Sequence, residues 1–212
     1  MDKTTSELTI EYIKEHPYIK NCLKNGLINY SSLSRLISEE LKLGKKTSKE
    51  AILIAARRFR ERLKKEVNNE HKIKFLLTNS EMDIKNKICV LILDKDIDLD
   101  YIINLQRDIH KENGTIFLLE GHSSYTLITQ DKYFNELIKR FKNNILKSQD
   151  NLAIINFKSP QEIEGLTGVV AYLTSLFSEN GINIIEFSSC WKDTIFVIDS
   201  KNVNKAINFL NF

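Results

Sequence analysis

The chain has 212 residues, a formal net charge of +3 and 42% hydrophobic residues, which is typical of a folded globular protein. Its longest apolar runs are six residues, whereas a membrane-spanning helix needs about 20. The 3 cysteines lie far apart and favour free thiols in a reducing compartment over a disulfide framework. Because the N-terminus also lacks a signal-peptide pattern, we expect a cytoplasmic protein.

Residues 1–68 are predicted to form a helical domain. Thr4 and Glu7 have the spacing of a capping box, in which each residue's side chain accepts a hydrogen bond from the other's backbone N–H. Pro17 then begins a short helix that Gly26 ends, since proline suits the first helical position and glycine the residue just past the end. The domain therefore starts with two short helices.

The next two helices carry most of the positive charge. Gly44 is predicted to stop the first, and a second capping box of Thr47 and Glu50 to open a longer helix that ends near Lys65. Residues 42–65 hold ten basic and two acidic side chains, a net charge of +8. The candidate nucleic-acid contacts on this helix are Lys49, Arg57, Arg58, Arg62 and Lys65.

Two interpretations of this domain stay open. The segment Tyr30–Ile37 is similar to the first helix of the helix-turn-helix in winged-helix regulators, and the helix from Ser48 would then read DNA while its basic side chains contact phosphates. However, the first turn of that helix lacks the Asn, Gln or Arg side chains that read base edges. The alternative is a helical interaction or dimerisation domain with a solvated charged face.

Residues 71–148 alternate strands and helices. The predicted strands are 73–78, 87–93, 115–120 and 124–129, and the predicted helices are 99–111 and 131–146. The segment Asp94–Asp100 contains four aspartates. It lacks the glycine and the distal glutamate of a calcium loop, so we interpret it as a helix-capping cluster.

Residues 149–212 repeat that order of elements. A strand at 152–157 leads into the loop 159–168 and then into a helix that Gly181 ends. Two strands joined by a tight turn follow at 182–187 and 194–198, and a last helix is predicted at 202–209. A glycine-containing loop before a helix leaves backbone N–H groups free to bind an anion or a carboxylate.

This C-terminal segment resembles the ACT domain, a βαββαβ module that senses amino acids in aspartokinases and related regulators. The resemblance rests on the loop Gly165–Val170, the helix end Glu179–Gly181, the strand Ile182–Ile185, the polar pair Ser188-Ser189 and the strand Thr194–Ile198. The alternative is a ferredoxin-like unit without a ligand.

The resemblance implies an α+β protein with an N-terminal helical domain, 1–68, and two ferredoxin-like βαββαβ (ACT-like) modules, 71–148 and 149–212. The last module lacks a fourth strand after its second helix. We expect strand 73–78 to fill that place, which would interlock the modules; alternatively, a partner chain supplies the strand. ACT modules usually pair side by side, so the resemblance also implies a homodimer.

The resemblance places a ligand at the loop before the second module's helix. It implies backbone contacts from Gly165, Thr167, Gly168, Val169 and Val170, and a polar contact from Asn183. In the alternative interpretation the two glycines only shape a turn. Glu162 and Glu164 add negative charge, which favours a ligand with a free amine unless both carboxylates face solvent.

Catalytic motifs are not recognisable in the sequence. The 4 histidines lack metal-site spacing, and neither a phosphate-binding loop nor a GxSxG nucleophile motif occurs. We therefore expect no catalytic residues, no metal and no cofactor. The predicted function is regulatory: binding of an amino acid or similar small ligand, with signalling to DNA or to an enzyme of amino-acid metabolism. The alternative is a structural or interaction protein with an ACT-like fold and no ligand.

Overall fold

The computed structural model describes residues 3–43, 48–65 and 69–212. The chain divides into two compact units, residues 1–68 and residues 69–212. Within the described ranges, no helix has the length and apolarity needed to cross a membrane.

The first unit is built from helices alone in its described part. The helices are α1 (Thr5–Glu15), α2 (Pro17–Asn25), α3 (Tyr30–Glu40) and α4 (Lys49–Leu63). The predicted capping box of Thr4 and Glu7 is present at the start of α1. Gly26 ends α2 in a left-handed conformation, with φ of 75°, as predicted.

Helix α4 lies at the centre of this unit. Its apolar stripe of Ile52, Ala56, Phe59 and Leu63 is buried in one core cluster with residues of α1, α2 and α3. Ser48 caps its start by accepting a hydrogen bond from the backbone N–H of Glu50 at 3.1 Å. The predicted helix stop at Gly44 and the predicted cap at Thr47 lie outside the described residues.

The second unit is a six-stranded antiparallel sheet with helices packed on it. The strands are β1 (Glu81–Leu93), β2 (Ile116–Glu120), β3 (Tyr125–Gln130), β4 (Ile145–Lys158), β5 (Ile184–Cys190) and β6 (Asp193–Asp199). The helices are α5 (Glu70–Thr78), α6 (Leu99–Lys111), α7 (Phe134–Arg140), α8 (Val169–Glu179) and α9 (Val203–Leu210). The strand order is β2-β3-β1-β4-β6-β5.

The two central strands, β1 and β4, are long, and the two halves of each strand have different neighbours in the sheet. The first half of β1 pairs with the second half of β4, from Glu81 opposite Lys158 to Asn86 opposite Ala153. The second half of β1 pairs with both β3 and the first half of β4. Each strand changes register near its middle, where Lys87 and Asn151 have positive φ values of 59° and 55°.

The prediction of a strand at 73–78 is wrong. These residues belong to helix α5, and Ile73, Leu76 and Leu77 are buried in the core with residues of β4, α8 and α9. Their spacing of i, i+3 and i+4 is helical, but a short apolar run cannot be assigned by periodicity alone. The fold-class prediction of interlocking through strand 73–78 is therefore also wrong, because residues 81–86 occupy the place beside β4.

The predicted helix 131–146 is too long. A short 3₁₀ turn at Asp131–Tyr133 leads into α7, which ends at Arg140, and β4 begins at Ile145. Pairing of Ile145 and Lys147 with β1 outweighs the local helical pattern.

The face of the sheet away from these helical cores is also apolar and buried. One cluster contains only strand residues, among them Val90, Ile154 and Val197. Phe117 of edge strand β2 and Ile185 of edge strand β5 pack against this same cluster. The sheet therefore curls, so that its two edges approach each other over a shared interior.

Candidate functional site

The loop between β4 and α8 is held in a defined conformation. Residues Gln161–Gly165 form a 3₁₀ turn, and Gly168 is the N-cap of α8. Gly168 has a φ of 98°, which side-chain-bearing residues rarely adopt, and an added Cβ would lie 3.4 Å from Ile73 Cδ1. Gly165 has neither constraint, because an added Cβ would meet no atom within 4 Å. The backbone thus requires glycine at position 168 but not at 165.

The start of α8 differs from a side-chain-capped helix start. No side chain caps this helix, and its first turn contains no acidic residue. The N–H groups of a helix's first turn have no intrahelical partner, and the helix dipole gives this end a partial positive charge. The N-terminus of α8 is therefore suited to a carboxylate or another small anion.

Hydrogen bonds join the loop to two other elements. The backbone N–H of Ser159 donates to the carbonyl of Lys192 in the β5–β6 turn at 2.8 Å. The hydroxyl of Ser80, just after α5, donates to the hydroxyl of Ser159 at 2.9 Å. At the other end of the loop, Asn69 Nδ2 donates to Thr167 Oγ1 at 3.0 Å. The loop therefore lies fixed between α5 and the β5–β6 hairpin.

A cavity of about 510 Å³ opens at the start of α8. Its lining is Ile163, Glu164, Leu166, Gly168, Val169, Val170, Ala171, Ser189 and Trp191. A pocket of this size is within the usual range for small-molecule sites.

Three of the six predicted ligand contacts line this cavity, namely Gly168, Val169 and Val170. Gly165 and Thr167 belong to the same loop but are not part of the lining. Asn183 is exposed in the segment between α8 and β5, and the cavity does not include it. The start of α8 and the β5–β6 hairpin therefore line one cavity, whereas Asn183 lies outside it.

The sequence did not predict that two residues of the β5–β6 hairpin, Ser189 and Trp191, line the cavity at the start of α8. Trp191 is 64% exposed and adopts a positive φ of 52° in the two-residue turn between β5 and β6. The Lys192 ammonium lies 4.5 Å from the centre of its ring system. Ser189 belongs to the polar pair that the resemblance had singled out, but its sequence position does not reveal that the hairpin reaches α8.

The basic side chains of α4 and of Lys65, just after it, form a separate feature. Lys49, Arg57, Arg58, Arg62 and Lys65 are all exposed. The Arg57 guanidinium lies 5.3 Å from the Tyr30 ring centre, and that of Arg62 lies 5.3 Å from the Phe59 ring centre. The described contacts place none of these five side chains in a salt bridge, so their charges are available to a polyanion.

Throughout the described ranges, no group of three or more His, Cys, Asp or Glu residues is placed to hold a metal ion. Cys22, Cys89 and Cys190 are free thiols, and burial raises the pKa of Cys89 to about 12.

Comparison with known proteins gives a family match for the C-terminal part of the chain. Residues 147–211 match the ACT domain family, and this segment contains the loop, α8, β5, β6 and α9. No curated protein matches the chain.

Among solved structures, aspartate kinase from Clostridium acetobutylicum is 14% identical, with 61% of this chain and 33% of that chain covered at a TM-score of 0.49. The ligand-free regulatory subunit of aspartate kinase from Thermus thermophilus is 9% identical, with 61% and 92% covered at a TM-score of 0.46. A putative C-terminal regulatory domain of aspartate kinase from Porphyromonas gingivalis is 11% identical, with 62% and 94% covered at a TM-score of 0.45.

Proposed function

We propose that this chain, whose residues 147–211 match the ACT domain family, is a non-catalytic regulatory protein that binds an amino acid or similar small ligand. The observation that carries the proposal is the uncapped start of α8, which opens into a cavity of about 510 Å³ inside the matched segment. ACT domains sense amino acids, and the chemistry of this cavity agrees with such a ligand.

The cavity offers a partner for each part of an amino acid. The backbone N–H groups of Val169 and Val170 would bind its carboxylate, because they lie in the uncapped first turn. Glu164 lines the cavity and would attract its ammonium group. The rest of the lining is largely apolar, with Trp191 and Leu166 available to the ligand's side chain.

The second unit would consist of two interlocked ACT-like modules, 71–148 and 149–212. Residues 81–86 of β1 would serve as the fourth strand of the second module, since they pair with the second half of β4. Residues 145–150 of β4 would serve the first module in the same way. This arrangement replaces the expected strand 73–78 and needs no strand from a partner chain.

We further propose a cytoplasmic homodimer. Edge strands β2 and β5 each have one side without a strand partner in the sheet. An unpaired edge is a template for another strand, and side-by-side pairing of ACT-like modules would cover it. Free cysteines fit a reducing compartment. The ligand's signal would pass to DNA or to an enzyme of amino-acid metabolism.

DNA binding by residues 48–65 is the second candidate function. It is favoured by five exposed basic side chains of this segment that make no salt bridge among the described residues, namely Lys49, Arg57, Arg58, Arg62 and Lys65. A sixth exposed basic side chain, Lys64, is paired with Glu61 at 2.8 Å. Phosphate contacts by such side chains supply most nonspecific affinity for DNA. The remaining alternative is a structural or interaction protein that keeps the fold without a ligand.

Trp191 supplies a direct test of the ligand proposal. It is the only tryptophan of the chain and it lines the cavity. A ligand at the start of α8 should change its fluorescence and raise the unfolding temperature at the same concentrations. A screen of the twenty amino acids that changes neither quantity would contradict the proposal and favour the structural alternative.

A further inference from the structure

A second cavity, of about 860 Å³, lies between α5 and the same loop. Its walls include Lys72, Phe75 and Leu76 of α5 on one side and Pro160, Glu162 and Leu166 on the other. Only Leu166 among these also lines the cavity at the start of α8. The loop is therefore a shared wall between two separate cavities.

The walls of the second cavity are held together by hydrogen bonds at both ends. Ser80 donates to Ser159 at 2.9 Å where the loop begins, and Asn69 donates to Thr167 at 3.0 Å where it ends. Leu76 lines the cavity, is 5% exposed and belongs to the hydrophobic core, so part of the lining is packed against the core of the unit. The cavity is thus a feature of the folded unit and not a gap beside a loose loop.

Phe75 presents an unusual amount of apolar surface to this cavity. Its side chain is 73% exposed, although Ile73, Leu76 and Leu77 of the same helix are buried. Exposed aromatic rings at the rim of an apolar cavity are typical of binding sites, because a ligand that covers the ring removes apolar area from water. A ligand with a large apolar group would cover it.

The lining of this cavity includes one lysine, Lys72, and one glutamate, Glu162. Lys72 and Glu162 make no hydrogen bond or salt bridge with any residue in the described parts of the chain. By contrast, the neighbouring Lys74 is paired with Glu70 at 2.8 Å. One free cation and one free anion beside apolar walls are complementary to a zwitterion with an apolar body.

We propose that this cavity binds an α-amino acid with a large apolar or aromatic side chain. Lys72 binds its carboxylate, Glu162 binds its ammonium group, and Phe75, Pro160 and Leu166 contact its side chain. This site does not depend on the site at the start of α8, since it uses neither the helix N-terminus nor Trp191.

The test is calorimetric titration of the full chain with L-phenylalanine. Phe75→Ser should weaken binding at least about tenfold, as should Glu162→Gln and Lys72→Gln, because each removes one charged or apolar contact. Tyr18→Ser is the matched control, since Tyr18 is also largely exposed at 63% and should not affect binding. Two analogues complete the test: 3-phenylpropionate lacks the amine and phenethylamine lacks the carboxylate, and both should bind about tenfold more weakly.

Val170→Asp separates the two sites, because it alters only the cavity at the start of α8. Phenylalanine binding that survives Val170→Asp, leaves Trp191 fluorescence unchanged and is lost in Phe75→Ser supports the second site. Absence of binding to the wild-type chain at millimolar phenylalanine would overturn it. So would binding that Phe75→Ser and Glu162→Gln leave intact, whether or not the site at α8 proves functional.

Discussion

The side-chain amide of Asn69 donates a hydrogen bond to the hydroxyl of Thr167 at 3.0 Å, which joins the residue before α5 to the loop before α8. The same amide lies 3.4 Å from the Thr167 carbonyl oxygen. Because α5 is the first helix of the second unit, the contact connects the proposed ligand loop to the start of that unit. A ligand that moves the loop would therefore also act on α5.

This contact can be measured by a double-mutant cycle. Asn69→Ala and Thr167→Val should each destabilise the second unit, and their coupling energy should be about 0.5–1 kcal/mol, as for one partly exposed hydrogen bond. Urea unfolding of the wild type, the two single variants and the double variant gives this value. Strict additivity of the two variants would show that the hydrogen bond contributes nothing.

The two glycines of the loop should differ sharply in their tolerance of alanine. Gly168→Ala should cost about 1–2 kcal/mol of unfolding free energy, because residue 168 has a φ of 98°. Gly165→Ala is the matched control in the same loop, and it should change stability by less than about 0.5 kcal/mol, since no atom lies within 4 Å of its Cβ position. Equal effects of the two substitutions would show that the loop does not have this conformation.

Stability should depend on pH through Glu186. Burial raises the pKa of this carboxyl above its ordinary value, and the nearby Lys147 lowers it by less. A raised folded-state pKa means that stability is fully present below the unfolded pKa of about 4.3 and is lost as pH rises through the folded pKa.

Glu186→Gln removes this ionisation and should therefore stabilise the protein near neutral pH. The advantage over the wild type should shrink toward about pH 4, where both side chains are neutral. Urea unfolding across this pH range measures the difference. An advantage that is constant with pH, or that grows at low pH, would contradict the assignment.

Much of the second unit could be predicted because its local signals agree with its packing. Helix α6 has the predicted bounds of 99–111, since Asp98 caps it by accepting the Tyr101 N–H and its apolar residues repeat at helical spacing. Gly181 adopts the predicted left-handed conformation, with φ of 62°. Each of these features is set by residues close together in the chain.

The remaining features depend on contacts that are distant in sequence. Residues 81–86 carry only two apolar side chains, Met82 and Ile84, and they form a strand because they pair with 153–158 of β4. The cavity needs Trp191 beside Val170, which only the folded hairpin provides. The second cavity could not be predicted from the sequence for a further reason. Residues 73–78 were expected to be a strand, so Phe75 could not be placed opposite Pro160.

DNA binding by the first unit can be tested by its salt dependence. If Arg57 and Arg58 contact phosphates, replacing both by alanine should weaken binding to a nonspecific duplex and lower the slope of log K against log salt by about 2. Lys139→Ala with Lys142→Ala removes the same charge from the second unit and serves as the control. Unchanged retention of the Arg57/Arg58 variant would exclude this face as the contact.

In the proposed function, α8 binds the carboxylate of a small ligand with its uncapped first turn. Val170→Asp places a competing carboxylate at the second residue of this helix. An acidic residue in the first turn is favourable to the helix dipole, so the fold should keep or slightly gain stability while the ligand is repelled. Val170→Asn has nearly the same shape without the charge and is the matched control.

The decisive measurement is a thermal-shift screen of the twenty amino acids against the wild type, Val170→Asp and Val170→Asn. We expect at least one amino acid to stabilise the wild type, by roughly 2.7 kcal/mol at 100 times its Kd. For every amino acid that also changes Trp191 fluorescence, we expect Val170→Asn to retain this response and Val170→Asp to lose it. A wild type in which no stabilising amino acid also changes Trp191 fluorescence, or a Val170→Asp variant that responds to such an amino acid as strongly as the wild type, would contradict this expectation.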